Sequence, residues 1–175
     1  MSKTLVIVYS FTGTGRTLAR ELCEQQGWPL GEVLELRPRA GDWGRIRCVL
    51  DSLLRRHPNV RYLGPPPRDF DLVVLIAPIW LRRLAGPMRS FVANYADSLP
   101  DIAVLTVMGS SDSPSAAAEV AGLAERTPMH DAAFTAQEVR GGACAARLQS
   151  FAQAVRAKHR AASPVRAEAL MSQAT

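Results

Sequence analysis

The sequence predicts an α/β fold in which a parallel sheet is covered by helices on both faces. Two continuous apolar runs, Leu5–Tyr9 and Asp71–Ala77, are typical of strands that are buried on both sides. Segments with apolar residues at helical spacing separate the strand-like runs, and this alternation predicts a parallel sheet. The chain has 175 residues, of which 47% are hydrophobic, which is enough for one sizeable core.

The first part of the chain contains the first apolar strand and three further predicted elements. Apolar residues at helical spacing predict a helix over Thr17–Gln26, which Gly27 is suited to end. Alternating apolar residues predict a short strand over Val33–Leu36. A second apolar helical face predicts a helix over Arg45–Arg56, and Pro58 follows as a helix breaker.

The remaining elements continue the alternation of strand and helix. They are the strand Asp71–Ala77, the helix Pro87–Tyr95, the strand Ile102–Val107, the helix Ser115–Arg126, the strand Ala132–Val139 and the helix Cys144–His159. After His159 the chain is rich in Ala, Ser, Pro and Arg, which predicts a disordered tail over 160–175. The predicted domain therefore spans residues 1–159.

The charge is positive but dispersed. The formal net charge is +5, and Lys3 and Lys158 are the only lysines, so arginine carries nearly all of the positive charge. Nucleic-acid binding favours a clustered basic patch with interleaved aromatic residues, and the sequence has no dense basic run. Nucleic acid is therefore not an expected partner, whereas an anionic ligand or an acidic protein fits the charge.

The sequence gives no indication of a membrane or of disulfide bonds. It has no apolar run of the length needed for a membrane span, and its first residues lack the pattern of a signal peptide. Cys23, Cys48 and Cys144 are far apart and odd in number, which favours free thiols. We therefore expect a cytoplasmic protein.

The segment after the first strand is rich in hydroxyl groups and glycine. Its polar and glycine residues are Ser10, Thr12, Gly13, Thr14, Gly15 and Thr17. Backbone N–H groups and hydroxyls at the start of a helix can bind a phosphate, although the same residue types also cap helices without binding a ligand. The segment lacks a Walker A motif, and Leu18 stands where a dinucleotide fingerprint needs a small residue.

Three loops are expected to converge on one edge of the sheet. The segments Ser10–Gly15, Pro78–Gly86 and Gly109–Ser115 each follow the carboxyl end of a predicted strand. Ligands of parallel α/β sheets bind outside the carboxyl ends of the strands, where the strand order reverses. The sequence therefore predicts a ligand site at this edge.

Two motifs together resemble those of the flavodoxin-like FMN-binding family. Tyr9–Thr14 is similar to the phosphate loop of that family, and Asp71–Trp80 is similar to its third strand and flavin-flanking loop. Gly86–Phe91 resembles the helix that follows, and the resemblance covers residues 4–158. It implies a three-layer α/β/α sandwich with a five-stranded parallel sheet in the order 2-1-3-4-5, and a noncovalently bound FMN used for electron transfer or small-molecule reduction.

The resemblance also implies a set of cofactor-binding residues. They are Ser10, Phe11, Thr12, Gly13, Thr14, Gly15, Thr17, Pro78, Ile79, Trp80, Leu81, Gly109, Ser110 and Ser111. The aromatic face of Trp80 would stack on the flavin, although packing over the sheet edge is the alternative. Gly15 stands where many family members carry a further phosphate-binding threonine, which predicts a weaker phosphate site.

Two functions remain open from the sequence. The first is an FMN-dependent oxidoreductase or electron carrier. Arg82 and Arg83, expected near the flavin rim, would favour an acidic redox partner, and a solvated loop is the alternative interpretation of these arginines. The second is a protein-interaction module of the same fold that has lost flavin binding, which Gly15 and the same arginines motivate. The sequence identifies neither an electron donor nor an acceptor.

Overall fold

One mixed sheet forms the centre of the protein. The computed structural model describes residues 2–36, 58–80, 83–108 and 116–173, with side chains up to residue 162. Within these ranges the sheet has seven strands. They are β1 (Thr4–Val8), β2 (Leu30–Glu35), β3 (Val60–Leu63), β4 (Leu72–Trp80), β5 (Arg83–Leu84), β6 (Asp101–Met108) and β7 (His130–Thr135).

The parallel part of the sheet confirms the predicted strand order. The sheet order is β3-β2-β1-β4-β6-β7, and every pairing from β2 to β7 along this path is parallel. Numbered among themselves, the five parallel strands therefore have the order 2-1-3-4-5. Two antiparallel strands correct the predicted count of five, because β3 extends the sheet beyond β2 and the two-residue β5 pairs with the end of β4.

Helices cover both faces, and the alternation of side chains in β1 explains the two layers. The helices are α1 (Thr14–Gln26), α2 (Gly86–Tyr95), α3 (Ala116–Ala124), α4 (Ala136–Arg140) and α5 (Ala145–Gln173). Val6 and Val8 pack in one core with α1 and α5, whereas Leu5 and Ile7 pack in the other core with α2 and α3. Because neighbouring side chains of a strand point to opposite faces, one apolar strand supplies both cores.

Several predicted boundaries differ from the structure. The strand β4 continues through Pro78, Ile79 and Trp80, which the sequence predicts as a loop, because these residues still pair with β6 or β5. The strand β7 ends at Thr135 rather than Val139, since Thr135 and Glu138 form a reciprocal capping box that starts α4.

The last helix is longer than predicted. It continues to Gln173 instead of ending at His159, so the segment expected to be a disordered tail is helical over most of its length. The division into a domain over residues 1–159 and a tail stays a prediction. The predicted helix Arg45–Arg56 lies outside the described residues. None of the helices in the described part of the chain has both the length and the apolar character needed to cross a bilayer.

A buried polar pair attaches the last helix to the amino-terminal end of the sheet. His159 Nδ1 of α5 lies 2.9 Å from Asp101 Oδ2 at the start of β6, and both side chains are almost completely buried. Buried charged or polar groups are retained where they are paired, so this contact fixes α5 against β6.

The packing of the edge strand β3 against β2 depends on a glycine of β2 that lies next to a tyrosine of β3. A Cβ atom at Gly31 would lie 2.2 Å from the Tyr62 hydroxyl oxygen, and that hydroxyl donates to the Pro65 carbonyl at 2.7 Å. We expect Gly31→Ala to lower the free energy of unfolding by about 2 kcal/mol, because the Tyr62 ring must leave its position. Gly122→Ala is the control, since a Cβ there meets no atom within 4 Å. Urea unfolding measures the effect of both variants. Equal shifts of the unfolding midpoint in the two variants would contradict the prediction.

Candidate functional site

The loops that follow β1 and β4 begin at the same edge of the sheet. Val8, the last residue of β1, is opposite Ile76, and Pro78 of β4 is opposite Val107 of β6. The Tyr9 N–H also donates to the Ile76 carbonyl at 2.9 Å, which extends the pairing past the end of β1. The carboxyl ends of β1, β4 and β6 therefore meet, as the sequence predicts.

The segment between β1 and α1 places a glycine and several hydroxyl groups at the start of the helix. Gly13 is the N-cap of α1 with φ of 90°, a left-handed conformation that favours glycine, and as a glycine it has no side chain that could cap the first N–H groups. The hydroxyls of Thr12 and Thr14 lie 3.3 Å apart. The first N–H groups of a helix have no partner within the helix, so this arrangement suits an anion. Thr17 differs from these threonines, because its hydroxyl donates to the Gly13 carbonyl at 3.4 Å.

Arg16, the cationic residue at the start of α1, forms an ion pair with Glu32. Arg16 Nε donates to Glu32 Oε1 of β2 at 2.8 Å, and a second guanidinium nitrogen contacts the same oxygen. The ion pair joins α1 to β2. Binding of an anion at the start of α1 would consequently depend on N–H groups and hydroxyls, together with the positive end of the helix dipole.

Aromatic side chains connect the end of β4 directly to the segment that follows β1. The Trp80 ring contacts Tyr9 with a centroid distance of 6.2 Å and Phe11 with a centroid distance of 6.0 Å. Both contacts are edge-to-face, with interplanar angles of 85° and 87°. Trp80 is partly exposed, and it lies at the end of β4 beside the hydroxyl-rich segment. The structure thus brings together the two motifs that the sequence singles out.

A second polar contact at this edge is not evident from the sequence. The Tyr9 hydroxyl donates to Glu35 Oε1 at 2.5 Å, linking the end of β1 to the end of β2. Tyr9 is almost fully buried, so this bond holds its ring in the position that contacts Trp80. A tyrosine directly after a buried strand is a weak signal, since its partner is 26 residues away in the sequence.

Some predicted site residues lie outside the described residues. These are Leu81, Gly109, Ser110 and Ser111, together with Arg82. Arg83 is described and pairs with Trp80 in the β4–β5 hairpin. The binding roles of the whole predicted set stay predictions, and the structure establishes only where the described members lie.

The two described cysteines are unsuited to nucleophilic chemistry. Burial, with a smaller effect of Glu24, raises the pKa of Cys23 to about 11. Burial and the hydrogen bond from the Cys144 thiol to Glu21 raise the pKa of Cys144 to about 11. A thiol with such a pKa stays protonated near neutral pH. No cluster of residues suited to a metal ion occurs among the residues that the structure describes.

The sheet order and the position of the site define the class of fold. Five parallel strands in the order 2-1-3-4-5, with helices on both faces and a site at the carboxyl ends, form the flavodoxin-like fold. No protein-family model matches the sequence, and no curated protein matches it at a significant level.

Solved structures of similar fold include flavoproteins. A flavoprotein from Lactobacillus acidophilus in complex with FMN is 17% identical, with a TM-score of 0.67 over 81% of this chain and 98% of that chain. General stress protein 14 of Treponema denticola, in complex with FMN, is 11% identical, with a TM-score of 0.50 over 89% and 99%. A flavone reductase is 14% identical, with a TM-score of 0.54 over 93% of this chain and 64% of that chain. These similarities show that the fold is shared.

Proposed function

We propose that this chain is an FMN-binding flavoprotein that transfers electrons or reduces a small molecule. The observation that carries the proposal is the position of Trp80, whose ring contacts Phe11 of the hydroxyl-rich segment at the start of α1. The start of α1, which we propose as the anion site, and the partly exposed ring of Trp80 lie next to each other, which suits a ligand with a phosphate and a flat ring system. The FMN complexes among the solved structures of similar fold support the same ligand.

The donor groups fit the phosphate of FMN. The hydroxyls of Ser10, Thr12 and Thr14 and the first N–H groups of α1 would hold the phosphate, and Gly13 keeps the backbone free of a side chain at the turn. A Cβ at Gly13 would meet no protein atom within 4 Å, so the protein itself does not fill the space on that side of Gly13. Because Arg16 is paired with Glu32, the phosphate charge would be balanced mainly by N–H dipoles.

The ring system would lie against Trp80, with Pro78 and Ile79 at the same strand end. A bound FMN would supply the redox chemistry, while the protein supplies binding, orientation and electrostatics. Trp80 would exclude water from one part of the ring. We extend the proposal to Leu81 and to residues 109–111, on the basis of the sequence motifs.

The charge of the site rim supports an acidic redox partner. Arg83 lies in the hairpin beside Trp80, and the chain carries a formal net charge of +5. A cation near the ring would favour the anionic reduced flavin and would attract an acidic protein surface. Free thiols at Cys23 and Cys144 support a reducing compartment, which is the basis for proposing a cytoplasmic location.

The proposal is tested by titrating the full-length protein with FMN and with riboflavin, following the visible flavin spectrum. We expect saturable FMN binding and weaker riboflavin binding, because riboflavin lacks the phosphate. Replacing Thr12 and Thr14 together by valine should weaken FMN binding about tenfold and leave riboflavin binding nearly unchanged.

Ser98→Ala is the control, since the Ser98 hydroxyl donates to the Tyr95 carbonyl away from this edge. A wild-type protein that leaves the FMN spectrum unchanged would overturn the proposal in favour of a flavin-free interaction module. If FMN binds, anaerobic addition of NADH or NADPH separates an enzyme from a carrier, because only an enzyme that uses the nicotinamide would bleach the flavin unaided.

A further inference from the structure

The carboxylate of Glu119 joins three elements next to the candidate site. Glu119 lies in the first turn of α3. Its Oε2 accepts a hydrogen bond from the Leu84 N–H of β5 at 2.9 Å, and its Oε1 lies 2.8 Å from Arg89 Nε of α2. The Arg89 side chain is only 4% exposed, so this ion pair is shielded from water on the arginine side.

The direction of this carboxylate is informative. An acidic residue in the first turn of a helix usually interacts with the N–H groups and dipole of its own helix. Here both oxygens of Glu119 instead bind groups from other elements, one from β5 and one from α2. The side chain therefore connects neighbouring elements in addition to any effect on α3.

The contact with Leu84 holds the outer side of a very short strand. The strand β5 has two residues, and it pairs with β4 through Ile79 opposite Leu84 and Trp80 opposite Arg83. The next N–H, that of Ala85, donates to the Pro78 carbonyl at 3.1 Å. Because N–H groups alternate in direction along an antiparallel strand, the Leu84 N–H points away from β4 and towards Glu119.

We propose that Glu119 is a positioning residue that fixes the β4–β5 hairpin, which carries Trp80, and with it the surface against which the flavin ring would lie. This inference rests on the FMN-binding function proposed above. A carboxylate is required because both of its partners are donors. A glutamine has one acceptor oxygen and would turn its NH₂ group towards the other donor. Without the contact, the two residues of β5 are paired with β4 alone, and the end of β4 that carries Trp80 loses one of its supports.

The test compares Glu119→Gln with wild type by amide hydrogen exchange in the flavin-free protein and by FMN titration. We expect the Leu84 and Ala85 amides to exchange about tenfold faster, and FMN to bind about tenfold more weakly. Asp101→Asn is the matched control, because it removes the carboxylate charge from a buried pair with His159 at the amino-terminal end of the same sheet. It should lower the unfolding midpoint while leaving local exchange in the hairpin and FMN affinity within about twofold of wild type.

A second pair of variants tests the proposal if the Glu119→Gln protein does not fold. Arg89→Met, and Arg89→Met combined with Glu119→Ala, both lack the buried cation and differ in the acceptor for Leu84. Faster hairpin exchange only in the second variant supports the proposal. Equal exchange rates of the hairpin amides in both variants would contradict the proposal. So would a Glu119→Gln protein that has a lower unfolding midpoint but unchanged hairpin exchange and FMN affinity, because Glu119 would then contribute to stability without positioning the hairpin. If wild type takes up no FMN, the proposed function fails, whereas the amide exchange still decides whether Glu119 holds the hairpin.

Discussion

Replacing Trp80 by alanine is expected to weaken FMN binding by about tenfold to a hundredfold, since stacking of a flat ring on an aromatic side chain contributes on the order of 1–3 kcal/mol. Trp80 is partly exposed and is held by edge contacts with Tyr9 and Phe11, so its ring is available and oriented before any ligand arrives. A pre-oriented ring loses little conformational entropy on binding. Isothermal titration of the full-length variant with FMN measures the change.

Tyr95→Ala is the matched control for the loss of an aromatic side chain. Tyr95 ends α2 and packs on Phe91 and Tyr62 in the same core layer, but away from the loops at the carboxyl edge. It should reduce stability and leave FMN affinity nearly unchanged. Trp80→Phe should bind FMN with intermediate affinity, because the smaller ring keeps part of the contact. If Trp80→Ala bound FMN as tightly as wild type, packing over the sheet edge would be the role of this tryptophan.

The layered sheet could be predicted from the sequence because its central strands are apolar without interruption. Leu5–Val8 and Leu72–Ala77 are buried on both faces, and only a sheet covered by helices on both sides offers such positions to every residue of a strand. The strand order came from the resemblance to a known family. Periodicity alone does not specify which strands are neighbours, since that depends on contacts between distant segments.

The antiparallel additions could not be predicted on the same basis. The strand β3 has only four residues, which are partly or fully exposed and pair with β2, so the run is too short to give a clear alternating pattern. The strand β5 consists of two residues that are defined by a hairpin with β4. At Thr135 the capping box with Glu138 ended the strand earlier than the apolar residues indicate, which shows local side-chain chemistry overriding a strand pattern.

The candidate site was predictable in position and only partly in detail. The convergence of the first two loops follows from parallel strands, whose carboxyl ends share one edge. The pairing of Glu119 with Leu84 and Arg89 does not follow, because these residues lie 35 and 30 positions apart in the chain and belong to different elements. An arginine on the largely apolar helix α2 is the sequence signal of such a partner, and it does not identify which carboxylate pairs with it.

Gly15→Thr is expected to weaken FMN binding by about tenfold, although many members of the resembled family carry a threonine at this position. The backbone conformation of Gly15 is open to residues other than glycine, so the expected loss of affinity comes from crowding by neighbouring atoms. A Cβ there would lie 3.3 Å from Ser10 Oγ, 3.4 Å from Ser10 Cβ and 3.5 Å from the Tyr9 carbonyl oxygen. The added side chain would displace the Ser10 hydroxyl, which the proposed phosphate site uses.

A compensating substitution makes this prediction decisive. Ser10→Gly combined with Gly15→Thr removes the crowding and moves the hydroxyl from one position to the other, so the double variant should bind FMN more tightly than Gly15→Thr alone. Gly122→Ala serves as the control for adding a side chain to a helical glycine where no atom lies within 4 Å. Tighter FMN binding by Gly15→Thr alone would mean that Ser10 takes no part in holding the phosphate. Gly15 would then lower the affinity of the site for the FMN phosphate. The expected rescue would instead show that Ser10 and Gly15 together form a different arrangement of the same phosphate-binding loop.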